Sequence, residues 1–324
     1  MTQAKRYFIV GGAGFIGSHF TDRLLSDASV SGVTLYDNFS SGREWHFETH
    51  TADPRFRVVR GDVKDVDFLT TAMKGHDVVI HLASNPDIAR AATEPDIDFR
   101  EGTLLTNNVV EAMRRSGTST ILYASGSGVY GDLGETEAVE DHGPLIPIST
   151  YGASKLAGEA LISSYCHMFE FTGRVFRFGN VVGPRQTHGV GFDFLRQLLK
   201  NPAKLRILGD GTQSKSYIHV HDIVDAVLLG AARSTTPFAV YNVATDYINV
   251  TDIAALAAEC AGLNPKDVEF EYTGGNRGWK GDIPIVRINA DRIRRLGWNC
   301  RRSSREALRD SMLAMLPDLK AGRL

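Results

Sequence analysis

Residues Gly11 to Gly17 read Gly-Gly-Ala-Gly-Phe-Ile-Gly, directly behind an apolar run at residues 7–10 and ahead of a helical stretch. A glycine-rich turn between a strand and a helix constrains a fold strongly. Small residues let the backbone approach a pyrophosphate, and the free N–H groups of the helix start carry partial positive charge. Gly11, Gly14 and Gly17 give GxxGxxG spacing, with Phe15 and Ile16 at the helix opening. Asp37 closes the next apolar run, about twenty residues beyond the last glycine. A carboxylate there accepts hydrogen bonds from ribose hydroxyls and repels a 2′-phosphate, which favours NAD over NADP. Arg43, shortly after it, keeps NADP open, and a turn that only packs is the structural alternative.

Further apolar runs at residues 33–36, 56–59, 78–81, 120–124 and 174–178 alternate with helical stretches. Near-continuous apolar strands, each followed by a helix, predict a parallel sheet covered on both faces. The fold class expected is α/β: a doubly wound parallel sheet of Rossmann type with a smaller, interleaved α/β substrate lobe. Shorter runs at 206–208, 240–243 and 268–272 and a helix over 251–261 belong to that lobe. The boundary is expected near residue 180, giving a cofactor domain at 1–180 and a lobe at 181–324, with residues 216–245 returning to the first domain.

Tyr151 and Lys155 stand as Tyr-Gly-Ala-Ser-Lys. Positions four apart share a helix face, so a phenol and an ammonium can converge on one substrate atom, the ammonium favouring the phenolate that acts as base. A surface tyrosine four residues before a lysine is the plain alternative. Formal net charge is -2 with no basic run, which argues against nucleic acid or an anionic membrane as partner. No long apolar segment or export signal is evident, so a cytoplasmic location is expected. Cys166, Cys260 and Cys300 are widely spaced and the histidines form no ligand array, so no disulfide framework or metal is assigned.

The chain resembles, along nearly its whole length, the extended short-chain dehydrogenases that act on nucleotide sugars, and within them the compact UDP-glucose 4-epimerase type. The matching pieces are GGAGFIGSH from Gly11, DNFSSGR from Asp37, GDVKD from Gly61, HLASNPD from His81, VYGD from Val129, YGASK from Tyr151, FGNVVGPR from Phe178, LGDGTQSKSYIHVHDI from Leu208, RGWKGD from Arg277 and the LGW ending at Trp298. This resemblance implies bound NAD, held by the glycine turn, by Asp37, Asn38, Ser40, Ser41 and Gly42, by Asp62 and Val63 near adenine, by Leu82, Ala83 and Ser84, and by Tyr151 and Lys155. It implies a UDP-sugar substrate whose diphosphate lies near Asn180, Lys215 and Arg277. Asn85, Ser125, Gly126, Ser127, Arg185, Gln213 and Tyr217 complete the implied substrate set. Lys215 and Arg277 as simple solvated charges remain open. A homodimer through the helices that include Asn108 and Lys155 is also implied.

Members of this family begin by oxidising the sugar C4 hydroxyl, with a tyrosinate taking the proton and C4 giving hydride to the nicotinamide. Dehydratases and decarboxylases then need a further acidic residue, whereas the stretch Ser125-Gly126-Ser127-Gly128-Val129-Tyr130-Gly131 has none. Rotation of the 4-keto sugar and return of the hydride then yield the C4 epimer. Gly126 occupies the place of the family's catalytic serine or threonine, and Ser127, with Ser125 second, is expected to supply the hydroxyl unless both serines bind elsewhere. The volume freed at Gly126 makes UDP-glucuronate as plausible as UDP-glucose. Arg185 is placed to reach the sugar or its C6 group. Gly102 replaces a usual asparagine, with loosened support for the active-site loop expected. The alternatives are a decarboxylase or 4,6-dehydratase on the same scaffold, and a weakly catalytic NAD and nucleotide-sugar binding protein.

Overall fold

The computed structural model describes residues 4–85 and 87–322, so Pro86 of the HLASNPD motif lies outside the described residues. The chain forms two compact units. The first comprises residues up to Val129, Thr150–Arg177 and Val227–Tyr241, and the second Tyr130–Ser149, Phe178–Ala226 and the residues from Asn242 onward.

The first unit is built on a parallel sheet of seven strands. In chain order these are β1 (Lys5–Val10), β2 (Val30–Asp37), β3 (Phe56–Arg60), β4 (Val78–His81), β5 (Thr120–Gly126), β6 (Thr172–Phe178) and a last strand, Phe238–Val243. Across the sheet the order is Phe238–Val243, β6, β5, β4, β1, β2, β3. Phe8, Ile9 and Val10 of β1 are fully buried. Burial on both faces explains why these strands read as unbroken apolar runs rather than as alternation. Helices α1 (Phe15–Leu25), α2 (Val66–Met73), α3 (Leu104–Ser116) and α4 (Thr150–Met168) flank the sheet. Leu69, Met73, Val109 and Met113 pack on Phe8, Tyr36 and Ile121 to make the core. Strand order reverses where β1 lies between β2 and β4, and in a sheet of this kind ligands bind outside the carboxyl ends at that point. The Gly11 turn and Leu82 lie at those ends.

The run at 240–243, inside the stretch 216–245 expected to return to the first domain, is part of Phe238–Val243 and completes the large sheet beside β6. Its last three residues are buried, which a strand docked on the core requires. Residues Tyr130–Ser149, counted by sequence with the cofactor domain, cluster with the second unit.

In the second unit Asn180–Val182 pairs in parallel with Tyr217–His219, Lys204–Ile207 in parallel with Glu269–Tyr272, and Ser214–Lys215 antiparallel with Ile248–Asn249. Leu195, Leu205, Ile253, Leu256, Leu308 and Met312 form its core. His219 and His221 straddle a strand-to-helix junction: the strand ends at His219 and a helix begins at Val220. Their rings meet edge-on, 4.7 Å apart. No helix among the described residues is long and apolar enough to cross a membrane.

Candidate active site

The glycine turn lies tight against the end of β4. Gly11 has φ +77°, and a Cβ there would come within 2.7 Å of the Ala83 nitrogen, so only glycine fits. The N–H groups of Leu82 and Ala83 both donate to the Val10 carbonyl, at 2.9 and 3.1 Å. Helix α1 starts at Gly14 with no side-chain cap and no acidic residue in its first turn, which leaves its amide dipole directed at an anion. Asp37, at the end of β2, accepts from the Ala13 amide at 2.9 Å and the Phe39 amide at 2.7 Å. Burial pushes its pKa up, while these two bonds pull it back.

Asn38 caps the same loop by accepting from the Ser40 amide, and its Nδ2 reaches Asp62. Ser41 is exposed, whereas Gly42 is buried against Ala13. Val63 is buried, and its carbonyl accepts from Asn108. Arg43 turns to its own loop, donating to the Gly42 carbonyl at 3.2 Å. An uncapped helix start, a glycine-rich turn and a carboxylate at the end of the second strand together fit NAD.

Tyr151 and Lys155 lie in the first turns of α4, as their spacing predicts. The Lys155 ammonium donates to the Ala124 carbonyl at 2.9 Å and sits 5.5 Å from the centre of the Tyr151 ring. Burial lowers the Lys155 pKa to about 8, against the pull of Asp98 and Glu159. Burial also pushes Tyr151 up to about 12; its hydrogen bond with the Ser84 side chain opposes that rise and the Asp98 charge adds to it. In this arrangement the Lys155 ammonium is close to the Tyr151 ring while its hydrogen bond goes to a backbone carbonyl. Asn85 is buried and donates to Asp98 at 2.9 Å.

The loop after β5 distinguishes its two serines. Ser125 donates to the Glu159 carboxylate at 2.5 Å, and Arg177 grips that carboxylate with Nε at 3.0 Å and Nη2 at 2.7 Å. Glu159 and Arg177 are both buried, so the Ser125 hydroxyl belongs to a satisfied polar network. Ser127 is half-buried at the start of a short 3-10 turn, Ser127–Tyr130, and its hydroxyl has no hydrogen-bond partner among the described residues. A Cβ at Gly126 would meet nothing within 4 Å. Gly102 behaves differently, since a Cβ there would collide with the Ser154 hydroxyl. Loss of the asparagine thus lets a π-helical turn, Phe99–Thr103, press against α4, and support there is tight rather than loose.

In the second unit, Lys215 and Arg277 are both held by acids. Lys215 Nζ is 2.5 Å from Asp282 Oδ1, and Arg277 Nη2 is 2.6 Å from Asp132 Oδ2. Arg277 also donates to the Asp282 carbonyl, and Asp282 Oδ2 accepts from the Gly278 amide at 3.0 Å. These two cations are thus organised groups rather than simple solvated charges. Gln213 is buried with neither amide atom partnered among the described residues. Burial and the nearby Asp282 raise the Tyr217 pKa. Asn180 is exposed, and Arg185 is half-buried with φ +66°, a left-handed conformation that costs a non-glycine residue energy and occurs at functional sites.

Sequence reasoning passed over Asp98, Glu159, Arg177, Asp132 and Asp282. The last two stand inside pieces already singled out, VYGD and RGWKGD, where the closing acid was the available signal.

The model of the NAD dependent epimerase/dehydratase family matches residues 7–244. A UDP-glucose 4-epimerase of Mycolicibacterium smegmatis is 32% identical over 90% of this chain and 93% of its own length. A dTDP-glucose 4,6-dehydratase of Actinoplanes is 31% identical over 71% of the chain and 74% of its own. A crystal structure of a UDP-galactose 4-epimerase superposes with a TM-score of 0.86 at 35% identity, covering 97% of this chain and 99% of that one. Sequence, sheet order and glycine turn agree: the chain is an NAD-dependent enzyme of the epimerase/dehydratase family.

Proposed function

We propose that this enzyme interconverts UDP-sugars at C4, acting on the UDP-glucose/UDP-galactose or the UDP-glucuronate/UDP-galacturonate pair. The observation that carries this reading is the lack of a spare acid beside the base. Residues 125–131 hold no carboxylate, Glu159 is saturated by Arg177 and Ser125, and both oxygens of Asp98 are engaged. Elimination of water or loss of carbon dioxide needs further proton transfers; return of the C4 hydrogen does not.

Tyr151 takes the proton from O4 and later returns it, and Ser127 offers the hydroxyl that steadies O4. Bound NAD supplies a reversible acceptor for the C4 hydrogen. Once released from the Ala124 carbonyl, the Lys155 ammonium stabilises the Tyr151 phenolate. Lys215 and Arg277 give charge-assisted bonds to the diphosphate, with Asn180 and the unpartnered Gln213 amide beside them in the assignment. Arg185, Tyr217 and Asn85 complete the set proposed for the sugar and nucleotide.

The test is incubation of the purified protein with UDP-glucose, UDP-glucuronate and UDP-N-acetylglucosamine, with products separated by chromatography. A C4 epimer that falls by about a hundredfold or more in Tyr151→Phe is expected. Release of carbon dioxide, or accumulation of a 4-keto sugar, would assign the chain to the decarboxylase or dehydratase branch.

A further inference from the structure

Asp98 is 1% exposed, and no cation pairs with it among the described residues. A buried carboxylate outside an ion pair is costly unless hydrogen bonds satisfy it, and the Lys155 ammonium feels this charge from beyond ion-pair distance. Its two oxygens hold two different segments. Oδ2 accepts from the Thr150 hydroxyl at 2.6 Å, and Thr150 opens α4 directly before Tyr151. Oδ1 accepts from Asn85 Nδ2 at 2.9 Å, and Asn85 directly follows Ser84, whose side chain hydrogen-bonds Tyr151. Asn85 in turn closes its own loop by donating to the Asp87 carbonyl and accepting from the Asp87 amide. The contacts form a ring: Tyr151 to Ser84, along the chain to Asn85, across to Asp98, on to Thr150 and back to Tyr151.

We propose that Asp98 is a positioning residue for Tyr151, fixing the phenol by tying the start of its helix to the loop that holds its hydroxyl. This rests on Tyr151 being the base. The groups that face Tyr151 are Lys155 on its own helix, Asp98, Ser84 after β4 and Tyr123 on β5, with His81 and Glu159 beyond Lys155. Burial is the main reason the Tyr151 pKa is raised, and Asp98 is the acid whose charge adds to that rise.

The experiment is a pH titration of tyrosinate absorbance, taken as the difference between the protein and its Tyr151→Phe form. Repeated in the Asp98→Asn background, the Tyr151 signal is expected about one pH unit lower, because loss of a nearby negative charge favours phenolate. An unmoved signal in folded Asp98→Asn protein overturns the proposal. Thr150→Val keeps the charge and cuts one tie, so it reads the clamp should Asp98→Asn fail to fold. Its kcat is expected to fall about tenfold with KM changed less than about threefold, and an unchanged kcat overturns the clamp. A wild-type protein that turns over no UDP-sugar defeats the functional reading while the titration still reports on Asp98.

Discussion

At Gly126 the structure leaves open space where the family resemblance implies a hydroxyl, and one residue later Ser127 presents a hydroxyl without a partner among the described residues. Ser127→Ala is therefore expected to lower kcat by about ten- to a hundredfold, and Gly126→Ser in that background to restore part of the loss, both read by steady-state kinetics. Full activity in Ser127→Ala would remove Ser127 from the mechanism. Tyr151, Lys155, Gly11 and Asp37 were legible in the sequence because each belongs to a short motif whose spacing states its geometry. Asp98 and Glu159 were not: Asp98 meets Thr150 across 52 residues of chain, and Glu159 meets Ser125 across 34. Buried polar partners chosen by tertiary packing leave no periodicity to read.

Among the elements, the π-helical turn Phe99–Thr103 is the one that departs most from regular geometry. Such turns gather at functional sites, and this one delivers Asp98 to the start of α4 while Gly102 passes against Ser154. Gly102→Asn, which restores the residue usual in relatives, is expected to destabilise the fold by about 1–3 kcal/mol through overpacking. Urea unfolding checks this, and unchanged stability would mean that Ser154 yields without cost. Strand positions were readable from their apolar runs, although β1 and β2 extend beyond them at polar, partly exposed ends.

For the molecule as a whole, stability is tied to pH through the lysine it buries. Burial lowers the folded-state pKa of Lys155 to about 8 from the ordinary lysine value of 10.5. Between these values the unfolded chain holds more protons at this group than the folded one, so its contribution to stability rises with pH across that window. The contribution of Lys155 alone is therefore expected to grow by on the order of 1–3 kcal/mol from pH 8 to 10, while the buried thiols and tyrosines, whose pKa values burial raises, pull the other way. The difference in stability between wild type and Lys155→Met, followed by denaturation from pH 8 to 10, isolates that contribution, and a difference that does not change with pH would contradict it. Above about pH 10 the effect reverses, because tyrosines such as Tyr151 stay protonated in the fold while their unfolded counterparts ionise.

The order in which the sheet is written along the chain has a consequence for biosynthesis. A ribosome has delivered the glycine turn, Tyr151 and six of the strands once β6 emerges, yet the strand that lies beside β6 comes only after Asn180–Val182, Lys204–Ile207 and Tyr217–His219 have been made. Until then the outer edge of β6 is an unpaired template, open to a neighbouring nascent chain. The cofactor platform is thus specified early and sealed late, and crowded synthesis is the moment at which this protein is most exposed to misassembly.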